Sequence, residues 1–357
     1  MNGLGNIVER RWQNLIKIIM IVLMFACIVI AHEWGHYITA KKCGVLVHEF
    51  AIGMGPIVWS KKKGETLYSV RLFPIGGFCS MEEEVGESSN PRAMAAKKPW
   101  QKLLIVSAGA IMNFVLACVL LSIVIGYQGY GSNKIASLEP NMPAIEAGLQ
   151  VGDKITAIDN HKVSRLSDLS EVLAKEEKTY LLTVKRGQET LNISITSKWM
   201  PKEERARFGF SPTLIHFNLW ENIRDGILRA CMMVVGVWQA FIKLFTGALG
   251  MDQVSSIVGV VNQSAEIWDT SMQSGGMTVA ILNMMIIASA LSANLAVVNL
   301  FPLPALDGGR IVFVLVEMLR GKPISQEKEG AIHFIGFIVL MALTVVIIYN
   351  DFMRLGT

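Results

Sequence analysis

The chain has 357 residues, of which 52% are hydrophobic and only 17% charged, with a formal net charge of +4. That is too apolar for an ordinary soluble protein, and the small positive excess suits loops facing anionic lipid without calling for nucleic acid. The apolar residues fall in blocks, which makes the chain a polytopic α-helical membrane protein.

The first apolar block, residues 15–37, is broken only by Lys17 near its start and by His32-Glu33-Trp34-Gly35-His36. On a helix, two histidines four residues apart lie about one turn from each other, so both imidazoles can bind one Zn²⁺. The glutamate between them can then deprotonate a metal-activated water. Ionisable groups at membrane depth are costly and mark function by default. The alternative is a solvated cap at the membrane edge. The block is not a cleavable signal peptide, because cleavage would remove the motif.

In the following loop, residues 47–52, 57–60 and 66–72 read as strands, broken by Gly53-Met54-Gly55-Pro56 and by a polar turn at 61–64, and ended by Gly76-Gly77. The apolar content of this hairpin favours membrane contact over a plain solvated loop. Its edge can pair with an extended peptide. Residues 103–127 form a second, uncharged span carrying Asn113, read as lining a cleft or bonding between helices.

Residues 135–196 are charged and lack long apolar runs. Pro143-Ala144-x-x-Ala147-Gly148-Leu149-x-x-Gly152-Asp153-x-Ile155-x-x-Ile158-Asp159 resembles the turn-and-strand signature of a PDZ domain, with residues 166–173 as its helix and 180–184 and 191–196 as a closing hairpin. Residues 227–251 read as an interfacial amphipathic helix. A third span, 275–306, contains Pro302 and Pro304 and runs into Asp307-Gly308-Gly309; a fourth covers 331–350. Lys and Arg are concentrated in the loops after the first and third spans, which places those loops in the cytoplasm and the PDZ-like region outside. The cysteines show no paired spacing; Cys27, Cys118 and Cys231 read as small buried apolar residues. His48, His161, His216 and His333 have no metal-like spacing.

A catalytic zinc needs a third protein ligand, and Asp307 is the carboxylate that adjoins the third span. The two prolines keep the chain extended or kinked before it, and the glycines allow a turn. A boundary carboxylate before a Gly-Gly turn is the competing reading.

His32-Glu33-x-x-His36 together with Asn299-x-x-Pro302-x-Pro304-x-Leu306-Asp307-Gly308-Gly309 resembles the site-2 protease family of intramembrane metalloproteases, in its bacterial RseP/RasP-like branch. The resemblance implies zinc bound by His32, His36 and Asp307, with Glu33 as general base. It implies a substrate cleft shaped by Asn299, Pro302 and Pro304, with Asn113, Gly76 and Gly77 beside it, and a membrane-reentrant β-hairpin. The implied substrates are single-pass membrane proteins, such as trimmed anti-sigma factors or signal peptide remnants, cut in the bacterial cytoplasmic membrane.

The chain departs from the family where Gly109-Ala110 and Ser256-Ile257-Val258-Gly259 replace Gly-Pro-like elements, and where Trp34 is bulky. The expected organisation is an N-terminal membrane part (1–128), a PDZ-like α+β domain (129–200), a linker with the amphipathic helix (201–274) and a C-terminal membrane part (275–357). The rival from another class is a non-catalytic membrane scaffold whose PDZ-like domain binds peptides. A transporter with broken helices ranks last, since no matching broken helix is found in another half.

Overall fold

A computed structural model of the chain describes all residues except 1, 86–88, 164–167, 170–171, 174–175, 202–204, 216–217, 249, 251–253 and 356–357. His216 lies outside the described residues. The chain divides into two compact units, one of Met1–Val124 with Ile223–Thr357 and the other of Ile125–Asn222.

In the first unit, α1 runs Asn2–Lys42. Its long uncharged stretch offers nothing to stop it until Gly44, which takes a left-handed φ of 72° while Val45 N–H donates to Ala40 O at 2.9 Å. Lys41 and Lys42 in the last turn suit the negative end of the helix. The strands β1 (Val47–Lys63) and β2 (Thr66–Met81) follow. Both are bent, so residues 47–52 lie between two stretches of β2, with Ile52 opposite both Gly77 and Val70. Gly76-Gly77 therefore does not end the hairpin. Gly76 adopts φ 82° and bends β2, which continues to Met81 as an edge segment passing α1. Ile57, Val58, Trp59, Leu72 and Phe73 are exposed on this sheet.

Helix α2 (Pro99–Gln128) starts at a proline, whose missing N–H costs nothing in a first turn. Helix α4 (Leu219–Phe245) packs on α2 through Gly226 and Ala230, with Ala230 buried beside Ala117 and Leu121. Helix α5 (Ile257–Leu300) is broken at Gly276, where φ is 70°. Its first half lies on α1 through Trp268, only 1% exposed among Ile21, Met24 and Ile28, and through a Lys17–Asp269 ion pair at 2.8 Å. Burying such an aromatic side chain contributes about 2–3 kcal/mol. Ser256, expected within a Gly-Pro-like element, instead caps α5: its hydroxyl accepts from Val258 N–H at 3.1 Å.

Helices α6 (Asp307–Arg320) and α7 (Gln326–Leu355) complete the unit. Lys102 of α2 and Glu317 of α6 pair at 2.8 Å with both side chains largely buried. Asp351 of α7 accepts from Ser256 N–H and Gly259 N–H at 2.6 and 3.1 Å, closing the start of α5. Among the described residues, five helices are long and apolar enough to cross a membrane, by length and composition: the four expected spans and Leu219–Leu244, the segment read as interfacial. Cys27 and Cys231 are exposed on these helices, not buried, because their positions fall on outward faces.

The second unit is a sheet of strand order β10-β3-β4-β6-β7, with β5 (His161–Lys162) paired to β4. Its strands are β3 (Tyr130–Leu138), β4 (Lys154–Ile158), β6 (Thr179–Arg186), β7 (Glu189–Thr196) and β10 (Phe210–Ile215), with a turn of helix, α3, at Pro143–Glu146. A two-stranded ribbon of β8 (Lys198–Met200) and β9 (Arg205–Arg207) precedes β10. The unit thus extends past residue 200, because β10 returns to pair with β3. Alternation along β6 buries Tyr180, Leu182 and Val184 against Ile135, Ile155 and Phe208. Half of the helix expected over 166–173 falls outside the described residues; of the rest, 168, 169 and 172 are helical and Leu169 is buried in this core.

Candidate active site

His32, His36 and Asp307 converge from stretches far apart in the chain. The Nε2 atoms of the two histidines are 3.2 Å apart, and Asp307 Oδ2 lies 3.2 Å from the first and 3.3 Å from the second. Tetrahedral N/O ligands about 2.0–2.1 Å from a zinc ion stand about 3.3–3.4 Å from one another, so the triangle has the size of one ion's ligand set. Asp307 Oδ2 is buried and takes part in no hydrogen bond, although both imidazoles are close. The three atoms lie close enough together to bind one ion, and the donor set fits zinc.

The neighbours explain how the imidazoles are held. His36 Nδ1–H donates to the Ile105 carbonyl at 2.8 Å, which leaves Nε2 with its lone pair for a metal. The Asn113 amide lies 3.3 Å from His32 Nδ1, and Asn113 Oδ1 is buried without a partner. Turning that amide half round lets His32 Nδ1–H donate to Oδ1. Asn113 is fully buried beside His32. Asn299 is also buried, with Nδ2 3.5 Å from both His32 ring nitrogens.

Close backbone approach brings these parts together. A Cβ on Gly35 would stand 2.3 Å from Ala108 O, so α1 touches the α2 backbone there. Gly109, one residue along, faces the imidazole edges themselves. Asp307 opens α6, where a negative charge is favoured. Gly308 and Gly309 do not make the turn expected of them. Both are helical and buried, and a Cβ on either would strike the loop backbone at Phe301 or Leu303. The turn lies three residues before Gly308, at Ala305, with φ 73°. Pro304 is covered by Gly336 of α7, whereas Pro302 is exposed. Trp34 is exposed as well.

A cavity of about 390 Å³ opens onto the triangle and is lined by Glu33 and by residues 78–81 of β2. The Cys79 backbone amide faces the Glu33 carboxylate. A Cβ on Gly77 would lie 3.4 Å from Glu33 Cγ and 2.8 Å from Ala51 O, so only glycine lets the strand pass here. Burial pushes the Cys79 thiol up to about 12, helped by the Glu33 and Glu84 carboxylates. Arg310, one turn beyond Asp307, pairs with Glu84 at 2.7 Å across the cavity mouth. Sequence reasoning missed the Ile105 carbonyl, the contact of Gly109 with the imidazoles and the continuation of β2 over 78–81. A backbone acceptor leaves no trace in a sequence, but Gly109 stood in a motif already marked as a departure.

The profile of peptidase family M50 matches residues 20–343. The chain belongs to this family, the site-2 proteases. A regulator of sigma-W protease, RasP, from Bacillus subtilis is 31% identical over 95% of this chain and 98% of its own. A zinc metalloprotease RasP from Bacillus licheniformis is 29% identical over 95% and 99% of the two chains, and a relative from Clostridium perfringens 35% over 94% and 98%. Among solved structures, a PDZ domain from Listeria monocytogenes aligns with 25% of this chain and 96% of its own, at 21% identity and a TM-score of 0.21. The M50 protein described here is a zinc metalloprotease with several long apolar helices.

Proposed function

We propose that this M50 protein is an intramembrane endoprotease that cuts peptide bonds within or near the transmembrane segments of single-pass membrane proteins, with zinc held by His32, His36 and Asp307. The supporting observation is the 3.2–3.3 Å triangle of ligand atoms, two of them carried by a helix long and apolar enough to cross a membrane. Bound there, zinc supplies positive charge that polarises the scissile carbonyl and makes a water more acidic. Glu33 accepts the proton of the attacking water and returns it to the leaving amine. Asn113 and the Ile105 carbonyl hold the imidazoles in the tautomers that free Nε2.

A transmembrane helix bonds its own backbone groups and must unwind locally before cleavage. The 77–81 edge of β2, beside Glu33, offers strand pairing to the freed groups. The hairpin dips into the bilayer with its exposed apolar residues, and the cavity admits water from the cytoplasmic face. The chain resides in the bacterial cytoplasmic membrane with its PDZ-like unit outside. The printed name of the Bacillus subtilis relative supports anti-sigma factors as a substrate class; signal peptide remnants have the same chemistry.

The test is zinc per chain in detergent, with cleavage of a single-pass membrane stub, for wild type, His32→Ala, Asp307→Ala and Glu33→Gln. Loss of zinc in the first two variants, and zinc without turnover in the third, is expected. Full turnover by Glu33→Gln, or full zinc retention by Asp307→Ala, defeats the assignment.

A further inference from the structure

The loop between α5 and α6 holds a backbone conformation that its own residues do not favour. Ala305 has φ 73°, a left-handed geometry that a non-glycine residue rarely adopts. Such a conformation persists only where the surroundings over-determine it. Here the support comes from α7. Ala305 N–H donates to His333 Nδ1 at 2.8 Å, across 28 residues of chain. One turn along the helix, Gly336 lies against the same loop, where a Cβ would stand 2.3 Å from Pro304 Cβ and 2.8 Å from Pro304 O. Phe313 of α6 meets the His333 ring edge-on at 5.4 Å between centroids.

Because His333 Nδ1 accepts, its proton sits on Nε2, which is buried with no hydrogen-bond partner; Glu329 Oε1 is 3.8 Å away. The ring therefore does not take its place from a polar network of its own. It serves the loop, and Ala305 is two residues from Asp307.

We propose that His333 is a positioning residue for zinc: by holding Ala305 in its left-handed turn, it sets the start of α6 so that Asp307 Oδ2 reaches the two imidazoles. The inference rests on the reading of Asp307 as a ligand. It assigns to α7 a part in the metal site, although α7 contributes no ligand.

The experiment follows loss of zinc from the purified full-length chain to a chromogenic chelator. It compares wild type with His333→Ala, His333→Asn, His333→Ala/Ala305→Gly and Asp307→Ala. Zinc should leave His333→Ala about 10–100-fold faster, the range for removing a group that orients a ligand. Asparagine keeps an acceptor near Nδ1 and should recover most of the loss. Glycine at 305 adopts the left-handed turn unaided and should recover part of it in the double variant. Wild-type zinc retention by His333→Ala overturns the proposal. So does a loss that neither rescue repairs, since that is general damage to packing. Zinc kept by Asp307→Ala overturns instead the ligand assignment beneath it, so the two failures are distinguishable.

Discussion

A Cβ built on Gly109 of α2 would stand 2.3 Å from His36 Nε2 and 2.6 Å from His32 Cε1. The two imidazoles therefore sit against bare backbone, and the smallest possible side chain pushes on both. Gly109→Ala is expected to shift the rings out of the ligand triangle and weaken zinc binding at least tenfold, with little change in helix content. Zinc titration beside circular dichroism measures both. Wild-type zinc affinity in that variant would mean that α2 yields easily at this point.

Asn113, one turn along α2 from Gly109, also meets the Nδ1 edge of His32 and is fully buried. Asn113→Ala removes the amide that fixes the His32 tautomer and should cost about 10–100-fold in zinc affinity, the range for such outer partners. Asn113→Asp keeps an acceptor for His32 Nδ1–H and should cost less. Equal loss in both variants would point to packing instead of hydrogen bonding.

Gly77 tests the strand edge separately from the metal. Gly77→Ala places a methyl 2.8 Å from Ala51 O and 3.4 Å from Glu33 Cγ, so the edge must move away from Glu33. Zinc content should stay at the wild-type level while stub cleavage falls about tenfold or more, in line with the sensitivity of catalysis to misplacement near 1 Å. A variant that cleaves normally would remove the 77–81 segment from the account.

A pH effect is expected in the second unit. The Arg186 guanidinium, at 2.7 Å, holds the Asp153 carboxyl below its ordinary value, and the Gln150 amide adds to this at 2.9 Å. A lowered folded value means that the carboxylate stabilises the fold above the unfolded carboxyl range, near about 3.9, and that the contribution is lost as pH falls through the folded value. Hydrogen exchange at residues 148–153 should therefore quicken as pH drops below about 4, after correction for intrinsic rates. Asp153→Asn should be faster at neutral pH and flatter on the acid side. An unchanged acid limb in that variant would assign the loosening to another group.

The chemistry-bearing residues were legible because their types are rare at membrane depth: two histidines one turn apart, a glutamate between them, and an aspartate after two prolines. What that reading could not reach was the means of holding them. Gly308 and Gly309 look like a turn in the sequence, yet they are helical, because absence of a side chain serves close packing as readily as a positive φ. Gly76-Gly77 looks like the end of a strand, yet a bent strand uses the same pair to pass a helix. The β10 strand lay outside the expected PDZ-like boundary because its partner, β3, is some 80 residues earlier in the sequence, a pairing that local patterns do not reveal.

The break of α5 at Gly276 also bears on how the protein enters its membrane. The half before the break carries Asn262, Gln263, Glu266, Asp269 and Gln273, a composition that a bilayer would not accept as a lone segment. Its Trp268 is enclosed by α1, and its Asp269 is paired with Lys17. Insertion of this half is thus expected to depend on α1 being already in place, which would make biogenesis of the C-terminal portion conditional on the first helix. Expressed apart from α1, the segment before Gly276 should remain accessible to water-borne thiol reagents at newly introduced cysteines; co-expressed with α1, it should become protected.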